Sequence, residues 1–486
     1  MSNQTVLPAK TERTRIVISV SIALVLSALD QTSVSPAMPA IGAALGDRLW
    51  LSWIISAYLL TSTAVSPLFG KIADLRGRRL VLHSCIAIFT VGSAICALAP
   101  TMAVFIGGRA IQGIGDGGLV AVVQTIIADM APPKERGRYY VYISTLWAVS
   151  GVAGPVIGGV LAEHVHWTMI FWINLPVGAA CYAVSSRALT NVPDVRRNYN
   201  LDVLGAIMVI VATMMLLLAL TWGGTAYPWI SLTICGLVSA SLLLFGTFVW
   251  YQLQREEPFL PISVLGNPVI AYAGSAVFFS MASFIGLSVY FPVYLQLIEE
   301  FGAAASGLAL VGLISGMSLG ANISCRYINK STHYKRVALL GACITALALV
   351  LLALFTGKAS FAVIETLVTV AGFGSGSLYP IALISVQNAS ERRHLGIATA
   401  MFIFLRSLGL VVGLACLSTI VRATGIASHI GSGPSTLGGD VRAQIVDGFR
   451  WVFYAAASSQ VLSILFLMRM EEKPLRGHAP GSTRED

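Results

Sequence analysis

Arg109, Gln112 and Asp116 stand three and four residues apart inside an otherwise apolar stretch running from about 102 to 127. At 3.6 residues per turn they share one helical face. A stretch of this length crosses a bilayer, and a charge near the bilayer centre costs roughly 2.5–3.5 kcal/mol even on the lenient insertion scale. That face therefore turns away from lipid, towards other helices or a watery cavity. The chemistry open to it is binding a charged solute or passing a proton, which makes it part of a transport pathway. Asp30 places a second acid in the apolar run 16–38. Asp116 has three readings: a second proton carrier, the counter-charge for a cationic substrate, or a fixed ion-pair partner for Arg109 two turns away.

The remaining ionisable candidates read more plainly. Glu365 lies about one turn from a span end, where an acid snorkels to the interface. His164 and His166 fall in a loop and are expected to be solvated, with no metal site. The seven cysteines, at 85, 96, 181, 235, 325, 343 and 416, form no CxxC pair and read as small buried core residues.

The elements that position these residues follow from composition. The chain of 486 residues is 56% hydrophobic and 11% charged, with mean hydropathy +0.79. Soluble domains carry about 25% charge. The net charge of +9 lies in short basic patches between apolar runs, a pattern of membrane orientation and not of nucleic-acid binding. Lys10, Arg13 and Arg15 before an apolar run resemble a signal peptide, but Asp30 interrupts the run and more spans follow, so it reads as a first transmembrane helix.

Apolar runs of about 20 residues give roughly fourteen spans. Six fall near 16–38, 51–69, 80–99, 102–127, 139–162 and 166–187, and two near 203–222 and 229–252. The last six fall near 269–292, 304–325, 336–356, 360–386, 396–421 and 449–469. Loops holding Lys71, Arg76, Arg78, Arg79, Lys134, Arg136 and Arg138 lie on one side, with far fewer cations on the other. The positive-inside rule then puts both termini in the cytoplasm. Gly113-x-Gly115-x-Gly117 in span four has a counterpart in Gly372-x-Gly374-x-Gly376 of span twelve, an internal repeat of the kind transporters are built from. The expected fold is an all-α integral membrane protein of two pseudo-symmetric six-helix bundles, 1–190 and 263–470. A linker with two inserted helices occupies 191–262, and 471–486 reads as a disordered cytoplasmic tail.

Two glycine motifs complete the pattern. Gly70-Lys71-Ile72-Ala73-Asp74-Leu75-Arg76-Gly77-Arg78-Arg79 reads as a loop whose glycines permit a tight turn. Gly151, Gly154, Pro155, Gly158 and Gly159 put close-packing positions and a helix-bending proline in span five. In this order the two motifs, Arg109-x-x-Gln112-Gly113-x-Gly115, and Leu29-Asp30-x-Thr32 with Pro36 and Pro39 resemble the major facilitator superfamily, and within it the 14-helix drug:proton antiporters. Ile173-Asn174-Leu175-Pro176, Pro292-Val293-Tyr294-Leu295-Gln296 and Gln387-Asn388 fit the same pattern. Asp116, where a small residue is usual, and Thr168, where an arginine commonly follows the tryptophan, depart from it.

The resemblance implies a proton-coupled exporter of lipophilic, often cationic compounds working by alternating access. Asp30 would be the protonation site with Arg109 and Asp116 in the coupling network. Gly70, Asp74, Arg78 and Asp129 would form a cytoplasmic gating relay, and the span-five motif would mark export. Asp116, Tyr58, Gln112, Trp147, Phe284, Tyr290 and Tyr379 are the candidate substrate contacts, aromatics being able to stack on flat cations. No cofactor is implied beyond the proton gradient. The partners are small-molecule substrates, protons and the bilayer of a bacterial cytoplasmic membrane, for a monomer with room for a periplasmic adaptor protein. A dedicated exporter of one metabolite, antibiotic or siderophore, and a proton-coupled uptake symporter, are the alternatives. No nucleophile–base constellation or Walker-type loop points to an enzyme.

Overall fold

A chain surrounded by lipid must satisfy its backbone polar groups internally, and long apolar runs do so as helices. The computed structural model describes residues 10–46, 50–190, 201–224, 226–255, 258–261, 264, 266–328, 333–429 and 439–475. Among them are 14 helices long and apolar enough to cross a membrane, giving an all-α, multi-pass membrane protein. They are α1 (Lys10–Leu45), α2 (Leu51–Arg76), α3 (Arg78–Ala97), α4 (Met102–Met130), α5 (Pro133–His164), α6 (Met169–Ala188), α7 (Val203–Trp222) and α8 (Leu232–Leu253). After these come α9 (Pro268–Leu297), α10 (Leu310–Ile328, after a short turn at Ala303–Leu308), α11 (Lys335–Phe355), α12 (Phe361–Ala389), α13 (Leu395–Ala423) and α14 (Gly439–Arg469).

Several helices outrun their apolar cores. Counting apolar residues finds the hydrocarbon portion, while charged turns continue the helix into the interface. The clearest case is the 70–79 motif, expected as a loop. Helix α2 continues through it to Arg76, and the turn is confined to Gly77 at φ 95°. Gly70 serves close approach instead: a Cβ there would strike the Ala400 side chain and the Gly396 carbonyl of α13.

Glycines also set how the helices pair. In α4, Gly113 and Gly117 press against the α2 backbone at Tyr58 and Ser62, while Gly115 faces Cys85 and Phe89 of α3. In α12, Gly372 and Gly376 press against Leu313 and Met317 of α10, while Gly374 faces Gly341 of α11. The same relation joins α5 to α1, with Gly154 and Gly158 against Thr32 and Ser33, and α13 to α9, with Gly409 and Gly413 against Phe278 and Ala282. Small residues let backbones approach within van der Waals range, the main source of helix association in lipid. Helix α7 lies against α2 and α13, with α8 packed on α7.

The basic connections between α2 and α3, and between α4 and α5, define one end of the molecule. Towards that end the buried apolar side chains form one cluster drawn from both halves, from Val17 and Phe69 through Ile127 to Ile381 and Phe402. Towards the other end they split. One cluster holds Ile41, Phe105 and Phe171, and another holds Phe291, Leu349 and Phe449. The halves are thus joined at the basic end and separately packed at the other.

The tail departs from expectation at its start. Tyr334 Oη donates to the Lys473 carbonyl at 2.7 Å, and the Lys335 amide donates to Glu472 Oε1 at 2.8 Å. Residues 476–486, and the linker residues 191–200, lie outside the described residues. Cys85, Cys96, Cys181 and Cys325 are buried as expected, but Cys235, Cys343 and Cys416 are on the outer surface of the bundle, where an apolar thiol suits lipid equally well.

Candidate functional site: a buried ion pair and a latch between the halves

Helix α4 crosses the centre of the N-terminal helices, its glycines drawing α2 and α3 close enough for its long polar side chains to reach α1. Arg109 Nη1 donates to Asp30 Oδ2 at 2.5 Å, and both side chains are almost wholly buried. The same Nη1 reaches Gln112 Oε1 at 2.8 Å, while Nε donates to the Ile54 carbonyl at 3.1 Å. The second carboxylate oxygen of Asp30 accepts from Asn174 Nδ2 at 2.8 Å and Gln112 Nε2 at 3.1 Å. Ser93 Oγ accepts from the Gln112 amide at 2.6 Å and from the Asn174 amide at 3.2 Å. The guanidinium stacks on Tyr58, 4.4 Å from its ring centroid. A buried ion pair persists only with its other lone pairs and protons satisfied; α2, α4 and α6 supply those partners here, and Ser93 of α3 braces the two amides.

Asp116 is not the partner of Arg109. It points to the other side of Tyr58, where Ser27 donates to Oδ1 and Ser62 donates to Oδ2 at 2.7 Å. The Tyr58 phenol also interacts with this carboxylate. Gln31 Nε2 lies 3.5 Å from Tyr58 Oη and 3.4 Å from Ser27 Oγ. Tyr58 thus stands between the Asp30–Arg109 pair and Asp116, joining them into one polar core. The two-turn separation on α4 leaves Arg109 nearer to α1 and Asp30 than to its own helix-mate.

At the basic end, Asp74 accepts from the backbone amides of Gly396 and Ile397, at 3.0 and 2.9 Å, across the boundary between halves. Arg78 holds it from behind, Nη2 donating to Asp74 Oδ1 and Nε to Asp129 Oδ2, each at 2.8 Å. Lys71 Nζ donates to the Pro258 carbonyl at 2.9 Å. Further cross-links are Tyr140 Oη to Gln387 Oε1 at 3.0 Å and Gln124 Nε2 to Tyr379 Oη at 3.0 Å. In the connection between α12 and α13, outside the spans, the Arg393 guanidinium holds the exposed Glu391 carboxyl below its ordinary range.

The expected substrate contacts are scattered. Tyr58 and Gln112 are buried in the polar core. Trp147, Phe284 and Tyr379 are half-buried at the edge of the shared cluster. Tyr290 is buried in the apolar cluster of the C-terminal helices at the opposite end. In the span-five motif Gly151 faces Ile314 of α10, Gly159 meets nothing, and α5 runs unbroken through Pro155. Glu365 is half-buried, its carboxyl lying beside Gly312 of α10, and its buried Oε2 has no hydrogen-bond partner among the described residues. His164 and His166 are exposed, His166 pairing with Thr168 Oγ1 at 2.8 Å. Asn174 stood out only as part of the 173–176 motif, and Ser93 and Gln124 were beyond sequence reasoning about charge, being polar residues ordinary in membrane helices. Arg406, half-buried midway along α13, was not: a lone arginine in an apolar span is the signal that marked Arg109.

A helical membrane protein with a buried ionisable core in one half and a polar latch to the other is built as a solute transporter. The sequence profile of the Major Facilitator Superfamily matches residues 20–414. The chain belongs to that family, and it is a membrane transporter, not an enzyme. It is 31% identical over 414 residues to the Multidrug transporter protein MdtP of Bacillus subtilis, covering 85% of this chain and 76% of that one. An uncharacterised MFS-type transporter of Mycobacterium tuberculosis is 30% identical over 473 residues, covering 93% and 68%. Among solved structures, the proton:xylose symporter XylE aligns at TM-score 0.65 and 15% identity, covering 96% of this chain and 98% of that one. The human organic anion transporter MFSD10 aligns at 0.66 and 17%, covering 94% and 99%. At such identities the likeness is one of fold alone.

Proposed function

We propose that this protein is a proton-coupled exporter of lipophilic, often cationic compounds, operating by alternating access in a bacterial cytoplasmic membrane. The observation that carries the reading is the pair of buried carboxylates, Asp30 and Asp116, on either side of Tyr58. Its kinship with multidrug transporters at about 30% identity supports it. The basic end is cytoplasmic by the positive-inside rule, with both termini on that side. The single core at that end and the parted cores at the other then correspond to an outward-facing arrangement, latched by Asp74, Arg78 and Asp129. A proton arriving at Asp30 neutralises the partner of Arg109, loosens the contact between α1 and α4, and favours the opposite arrangement.

Each proton entering down a 100 mV potential releases about 2.3 kcal/mol, and each pH unit adds about 1.4. One proton exchanged for one monovalent cation is electroneutral; if Asp116 carries a second, exchange becomes electrogenic. The deciding experiment is ethidium efflux from energised cells expressing wild type, Asp30→Asn and Asp116→Asn, with membrane levels checked in parallel. Efflux by the wild type and its loss in Asp30→Asn at equal abundance are expected. Full efflux by Asp30→Asn would overturn the coupling role.

A further inference from the structure

Arg406 is an intramembrane charge that the mechanism above leaves unused. It lies about 16 Å along α13 from Leu395, while Tyr379 lies about 15 Å along α12 from Ala389, so the two Cα atoms sit at similar depth. The guanidinium stays at that level: its Cζ is over the Tyr379 ring, 5.5 Å from the centroid, and does not reach back towards the basic end. Among the described residues no carboxylate pairs with it. Asp30 is taken by Arg109, and Asp116 by Ser27 and Ser62.

The direction it faces follows from Tyr379. That residue belongs to α12 and meets Gln124 of α4, and these are the two most deeply buried spans of the molecule. A guanidinium over this ring points to the centre, between the halves, and not to lipid. It remains half-buried there, and among the described residues its N–H donors meet no protein acceptor. A planar fork of donors on an aromatic platform is suited to a carboxylate, which it can hold by two parallel hydrogen bonds.

We propose that Arg406 and Tyr379 form a subsite for an anionic group, a carboxylate, carried by the transported compound. The inference rests on the exporter reading and refines its substrate class. The best cargo is zwitterionic or acidic, and a purely cationic compound leaves this subsite empty.

The test uses two dyes that differ only at the carboxylate: rhodamine 110, which has it free, and rhodamine 123, its methyl ester. Binding to the purified chain in nanodiscs is read by fluorescence anisotropy without any gradient. Wild type is expected to prefer rhodamine 110. Arg406→Gln should weaken rhodamine 110 about tenfold while leaving rhodamine 123 within about twofold, the loss of a charge-assisted bidentate contact. Arg406→Lys keeps the charge without the fork and should fall between; it also serves if the glutamine variant does not fold. Equal effects on both dyes, or no binding of rhodamine 110 by the wild type, would overturn the subsite. Energised efflux is measured alongside. Efflux of rhodamine 123 with no carboxylate preference removes the subsite but keeps the exporter; carboxylate-selective binding with no efflux does the reverse.

Discussion

Asp74 of α2 caps the start of α13: its two carboxylate oxygens accept the first backbone amides of that helix, Gly396 and Ile397, at 3.0 and 2.9 Å. The unsatisfied amides and positive dipole end of a helix normally find their acceptor locally. Here the acceptor comes from the other half of the chain, so the bond can form only while the basic end is closed. Removing the charge should cost the closed arrangement about 1–2 kcal/mol, or roughly five- to thirty-fold in its ratio to the open one. Spin labels at Lys134 and Glu391, exposed on opposite halves of that end, should show longer distances in Asp74→Asn. An unchanged distance distribution would remove the latch.

The ion pair of α1 and α4 should behave as a unit. Taking away one member leaves the other charge buried and alone, which typically costs 3–5 kcal/mol, whereas removing both is far milder. Asp30→Asn and Arg109→Gln should each lower the melting temperature of the purified protein, and the double variant should recover part of the loss. Strictly additive losses would show that the two side chains stabilise the bundle separately.

Within one motif the glycines should differ. A methyl at Gly158 would meet the Ser33 carbonyl of α1, while one at Gly159 meets nothing. Gly158→Ala is expected to destabilise by about 1–3 kcal/mol, and Gly159→Ala to be neutral or gain up to about 1 kcal/mol in helix propensity. Thermal unfolding of the two variants side by side decides it; equal melting temperatures would mean that the α1–α5 contact is looser than described.

Asp116 separates the two stoichiometries. If it carries a proton, collapsing the membrane potential at fixed pH should slow export of a monovalent cation by the wild type and leave Asp116→Asn unaffected. Valinomycin-treated vesicles at matched potassium provide the measurement. Potential-independent export by the wild type would confine coupling to a single proton.

The prominence of Asp30, Arg109 and Asp116 was legible in the sequence because a charge in an apolar run has no inexpensive explanation. The fourteen spans and the all-helical fold were legible for a related reason: hydrocarbon leaves the backbone few choices, so length and hydropathy suffice. Which carboxylate Arg109 chooses was not legible, because spacing along α4 constrains only partners on α4 while Asp30 arrives from α1. Gly70 likewise suits a turn when read alone, and only the presence of Gly396 and Ala400 of α13 shows that its missing side chain admits another helix. Arg406 stood in the sequence as plainly as Arg109, but its partner ring lies on α12, and no local pattern says that its guanidinium faces the centre. The sequence by itself determined that this chain is a membrane-spanning bundle with costly charges inside, since burial energies depend on residue type. Only the tertiary structure decided which charges meet and which stay without a carboxylate partner among the described residues, since pairing depends on distances between segments far apart in the chain.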